Sequence, residues 1–127
     1  MLRILHVFTW CYVVLLTLLL WLPDPRAILF GWGPGEETAG YAHVVTFALL
    51  AFLIELDRVK RNRFFWETLL IGYVFLTEIV QEILPIRCFD IADIIQDIAG
   101  LFIGFYIAGI VKPALFPFLI FRWFEKR

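Results

Sequence analysis

Residues 78–104 read Glu-Ile-Val-Gln-Glu-Ile-Leu-Pro-Ile-Arg-Cys-Phe-Asp-Ile-Ala-Asp-Ile-Ile-Gln-Asp-Ile-Ala-Gly-Leu-Phe-Ile-Gly. Five acids (Glu78, Glu82, Asp90, Asp93, Asp97), two glutamines and Arg87 lie here, inside a chain that is 62% hydrophobic with a mean hydropathy of +0.87. A soluble domain is closer to half apolar. The long apolar runs around this stretch therefore predict an integral membrane protein, in which polar groups are costly and rarely placed without reason.

Working outward, apolar runs suited to spans of roughly 20 residues fall at 4–22, 39–56, 64–84 and 91–111. The first could be a secretory signal. It is longer than an h-region of about 7–15 residues and ends in Trp21-Leu22-Pro23 rather than a small-residue cleavage site, so we read a retained helix. Pro23, Pro25, Gly31, Gly33, Pro34 and Gly35 make 23–38 a loop. The heptapeptide Asp57-Arg58-Val59-Lys60-Arg61-Asn62-Arg63 holds four bases, and bases gather on the cytoplasmic side. Arg3, Lys112, Arg122, Lys126 and Arg127 then fall on that side as well. The expectation is an all-α membrane protein, a single domain over 1–127, with four transmembrane helices. Both termini are inside, and an interfacial segment occupies 113–127 on the inner leaflet. The basic loop reads as a topological signal in contact with headgroups rather than as a specific partner site.

Several classes are disfavoured. The net charge of -1 offers no pull towards nucleic acid. Cys11 and Cys88 are too few for a disulfide framework. There is no phosphate-binding Gly-rich loop after a strand, no CxxC and no HExxH, so no cofactor is expected. Gly31-x-Gly33-x-Gly35 reads as a turn-former.

Helical periodicity gathers the polar residues. Glu78, Gln81 and Glu82 share one face of the third span. Asp90, Asp93, Asp97, Gly100 and Gly104 follow offsets 0, 3, 7, 10 and 14, one stripe that is acidic first and small afterwards. Small residues at that spacing let a second helix backbone approach closely, so Gly100 and Gly104 are expected at a helix–helix seam. His43 enters the second span from the same side. The prediction is one cluster at outer-leaflet depth: His43, Glu78, Gln81, Arg87, Asp90, Asp93 and Asp97. Its excess of acids implies that some hold protons, that a cation is bound, or that the cluster lines a water-filled cavity. We favour a cavity with a shared proton over a Mg2+ or Ca2+ site, although carboxylates would suit a divalent cation. The blander readings are an Arg87 that anchors the outer turn, a hydrogen-bonded bundle histidine, a Gln81 that bridges helices, and solvated Glu82 and Asp90.

The pattern Glu78-x-x-Gln81, Pro85, Arg87, Asp90, Asp93, position 97, Gly100, Gly104, with His43 and Phe47 upstream, resembles the VanZ-like family. These are small bacterial membrane proteins named for a teicoplanin-resistance accessory protein. Their motif runs close to E-x-x-Q…P-x-R-x-x-D-x-x-D-x-x-x-N-x-x-G-x-x-x-G. The chain departs from it at Asp97, where the family usually holds asparagine. The resemblance implies a multi-pass protein of the bacterial inner membrane and a contribution to glycopeptide tolerance.

Three functions compete. The first is a binding protein whose outward-facing polar pocket takes an envelope lipid, a cell-wall precursor or an amphiphilic glycopeptide. The second is an intramembrane enzyme acting on a lipid phosphate or ester. Glu78 or Asp93 would be its general base and Arg87 or a bound cation its charge stabiliser, with water or metal chemistry required because no Ser or Cys is paired with a base. The third is a proton-coupled carrier subunit, which four spans would require to oligomerise.

Overall fold

The computed structural model describes residues 2–22, 36–58, 62–83 and 91–124, all within or flanking four helices. These are α1 (Leu2–Trp21), α2 (Glu36–Asp57), α3 (Arg63–Ile83) and α4 (Ile91–Phe124). At 1.5 Å per residue, α1 to α3 are about 30–33 Å long, matching a hydrocarbon core of about 30 Å. Among the described residues, three helices are long and apolar enough to cross a membrane, over Arg3–Trp21, Phe64–Ile83 and Ile91–Leu115.

Two boundaries differ from the sequence reading. Helix α2 begins at Glu36 rather than near Ala39, since a polar first turn looks like loop to a hydropathy argument. The larger correction is at the other end. The separate segment expected from 113 onward is instead a continuation of α4, which runs unbroken through Pro113 and Pro117 to Phe124. A proline inside a helix loses one hydrogen bond and crowds the carbonyl four residues back, at about 3 kcal/mol. Among apolar surroundings, however, a broken helix leaves more backbone groups unpaired than a continuous one. The 34 residues of α4 would span about 51 Å, well beyond one hydrocarbon core.

The helices form a ring in which α1 packs on α2, α2 on α4, α4 on α3 and α3 on α1. The α2–α4 seam is the most extensive. Contacts along it advance together, from His43 with Asp97 to Ala48 with Gly104, so these two helices run parallel. Helices α1 and α2 run antiparallel, because His6 meets Asp57 whereas Tyr12 meets Thr46. Phe47, Leu50, Ala51, Val74, Leu101 and Ala108 fill the core. Val14, Leu18, Phe75, Ile79, Phe102 and Tyr106 face outward. An apolar exterior around an interior that holds His43, Glu78, Gln81 and Asp97 is the reverse of a soluble domain and suits a bundle clad in lipid.

Candidate functional site

The polar cluster is built on the α2–α4 seam. A Cβ added to Gly100 would lie 2.5 Å from the Val44 carbonyl oxygen, and one added to Gly104 would lie 2.1 Å from that of Ala48. Both glycines therefore admit the α2 backbone itself. That close approach brings His43, on α2, alongside the first turns of α4.

Asp93 and Asp97 lie four apart on α4 and present to one face. Asp93 occupies the first turn, where the amide dipoles favour an anion. The His43 Nδ1–H donates to Asp97 Oδ1 at 2.9 Å, and His43 Nε2 lies 3.8 Å from Asp93 Oδ2. This is the tautomer that an ionised Asp97, an acceptor only, would select. One imidazole thus stands between two carboxylates. Asp97 is 1% exposed, and its second oxygen, Oδ2, has no hydrogen-bond partner among the described residues.

Glu78 and Gln81 are buried on α3, at 1% and 2% exposure. Gln81 does not join the His43 pair. Its Nε2 donates to the Leu20 carbonyl at 3.2 Å, satisfying one of the last-turn carbonyls of α1 that have no donor within their own helix. Gln81 is therefore a bridge between helices. Arg87 and Asp90 lie outside the described residues, as do Pro85 and Cys88. Glu82 is exposed, and Cys11 is exposed on α1. Among the described residues, no group of three or more His, Cys, Asp or Glu side chains is placed to hold a metal ion.

Beneath the cluster, Thr17 and Tyr73 share a hydrogen bond of 2.8 Å, and the Tyr12 hydroxyl donates to the Thr46 carbonyl at 2.9 Å. These contacts join α1 to α3 and α2 through the bundle interior. Phe47 packs beside the Tyr73 ring, with centroids 6.1 Å apart.

A second polar centre occupies the opposite end of the bundle. Lys112 Nζ donates to the carbonyls of Glu55 (2.7 Å) and Arg58 (2.6 Å) and to Glu55 Oε1 (3.2 Å). A cation here closes the C-terminal end of α2, where carbonyls point outward without intrahelical donors. Arg58 Nη2 donates to the other Glu55 oxygen, and the His6 Nδ1–H donates to Asp57 Oδ2 at 2.8 Å. In the sequence, Arg58 and Lys112 read as topological signals only. The one available signal was Glu55, an acid near the end of an otherwise apolar run and close to a basic loop.

No family model, curated protein or solved structure matches the chain.

Proposed function

We propose that this chain is a multi-pass protein of the bacterial cytoplasmic membrane with both termini inside. In this reading the His43–Asp93–Asp97 cluster lies near the outer leaflet and binds the polar head of an amphiphilic envelope molecule. The candidate ligands are an envelope lipid, a lipid-linked cell-wall precursor or a glycopeptide such as teicoplanin, in keeping with the VanZ-like motif residues. The observation that carries the reading is Asp97: a carboxylate buried among apolar helices, with one oxygen held by His43 and the other unpartnered among the described residues. A hydroxyl, amide or ammonium from a ligand head would supply the donor that a buried carboxylate oxygen requires. The alternating helix directions and the four bases of 57–63 support the orientation. The second helix completes the four crossings in this topology.

The test is a teicoplanin susceptibility assay with strains lacking the gene or expressing wild type, Asp93→Ala or Arg87→Ala/Asp93→Ala. It is paired with direct binding of lipid-linked precursor to the purified protein. Lower tolerance in the null and variant strains is expected. Equal susceptibility in every strain, together with absent precursor binding, refutes the proposal.

One observation favours a second reading, hydrolysis of a lipid phosphate or ester. Asp97 holds the Nδ1 side of His43, the arrangement by which a carboxylate orients an imidazole so that its other nitrogen can take a proton. Water would be the nucleophile, because Cys11 is exposed on α1 and no hydrogen bond joins it to His43 among the described residues. An unchanged lipid profile in His43→Gln and Glu78→Gln strains sinks this reading.

A further inference from the structure

At the Arg58 end of the bundle, between α1, α2 and α3, lies a cavity of about 160 Å³. One part of its wall is polar, made by His6, Asp57 and Arg58. Another part is apolar, made by Trp10, Val13 and Trp66. His43, Asp93 and Asp97 do not line it.

Arg58 decides what chemistry fits. Its side chain is 8% exposed, so the guanidinium has left water. Nη2 is tied to Glu55, while Nη1 is buried and has no acceptor among the described residues. A buried charged donor without an acceptor is unfavourable, and the planar guanidinium fork suits oxyanions, phosphate above all. Glu55 is shared between two cations, Arg58 and Lys112, and the Asp57 carboxylate in the cavity wall, whose Oδ2 is engaged by His6, balances the second of them. The unsatisfied Arg58 Nη1, rather than a net charge, is therefore what an oxyanion would meet. The apolar wall would receive a hydrocarbon neighbour, and indole rings favour the boundary where an apolar body meets a wet edge. In the sequence, Lys60, Arg61 and Arg63 follow directly, a basic run of the kind that draws anionic headgroups towards a membrane surface.

We propose that this cavity binds a phosphate oxyanion bearing an apolar neighbour, with Arg58 as its principal ligand. An anionic phospholipid headgroup and free inorganic phosphate share that chemistry, and the test separates them. The proposal needs this end of the bundle to sit at a bilayer surface. It needs neither the VanZ resemblance nor any function of the His43 cluster.

The full-length protein is purified in micelles and titrated with phosphatidylglycerol, with diacylglycerol of the same tails, and with inorganic phosphate. Bound species are counted by native mass spectrometry. Phosphatidylglycerol should bind about tenfold or more tightly than diacylglycerol, the value of one charge-assisted hydrogen-bond set. Arg58→Lys keeps a cation beside Glu55 but loses the fork. Val13→Phe fills the cavity and leaves the Arg58–Glu55–Lys112 contacts intact, so it guards against a result caused by misfolding. Both variants should lose most of the preference. Displacement of the lipid by inorganic phosphate at matching concentration would assign the site to free phosphate. Equal binding of phosphatidylglycerol and diacylglycerol with no bound phosphate overturns the proposal. So does an undiminished preference in Val13→Phe, which would place the lipid on the basic loop alone.

Discussion

Gly104→Ala is the sharpest probe of the α2–α4 seam. The added Cβ would stand 2.1 Å from the Ala48 carbonyl oxygen and 2.9 Å from both the Ala48 carbonyl carbon and the Ala51 Cβ. Two of these are backbone atoms and cannot rotate away, so α2 and α4 must part. Reaching a tolerable contact requires about 1 Å of separation, a gap that forfeits roughly a quarter to a half of the dispersion attraction of the atoms it parts. Overpacking of this kind costs about 1–3 kcal/mol. Against it stands the usual gain of about 0.5–1 kcal/mol when alanine replaces glycine inside a helix. The expected net loss is about 0–2.5 kcal/mol, with a middle value of about 1 kcal/mol. Gly109 supplies the control on the same helix, because a Cβ there meets nothing within 4 Å. Gly109→Ala should hold or raise stability. Both variants are unfolded in micelles by sodium dodecyl sulfate titration, followed by circular dichroism. If Gly104→Ala proves as stable as Gly109→Ala, the backbone approach that positions His43 against Asp97 is not what the geometry says it is.

Three further outcomes are expected. Asp97→Asn keeps a carbonyl acceptor for the His43 Nδ1–H and removes a buried charge, so its thermal midpoint should equal or exceed wild type. Asp97→Leu removes the acceptor and should cost about 1–3 kcal/mol, and a smaller loss for Leu than for Asn would refute the hydrogen bond. Lys112→Met strips the Glu55 and Arg58 carbonyls and Glu55 Oε1 of their donor, so it should destabilise by about 1–3 kcal/mol and raise amide exchange at Glu55–Arg58; wild-type exchange there would show that the contact is idle. In a background of Cys11→Ser and Cys88→Ser, a cysteine introduced at Gly33 should react with an impermeant maleimide from outside intact cells, while one at Asn62 should not; the opposite labelling would invert the topology.

The helical class, three membrane-length apolar helices and the acidic-then-small stripe were legible from the chain because they are local properties. A helix repeats every 3.6 residues, so offsets of 3, 4 and 7 place Asp93, Asp97, Gly100 and Gly104 on one face whatever surrounds them. The stripe could also be recognised as a seam from its small residues alone. What it faced could not be read locally. Only the packed bundle showed that α2 fills it, that Gln81 reaches α1, and that Lys112 reaches back to Glu55. Those pairings join residues more than fifty positions apart, and nothing in the periodicity of either partner names the other. The continuation of α4 through Pro113 was hidden for a related reason. A proline's local preference argues for a break, and the competing demand, an unbroken hydrogen-bond ladder among apolar surroundings, belongs to the environment rather than to the residue.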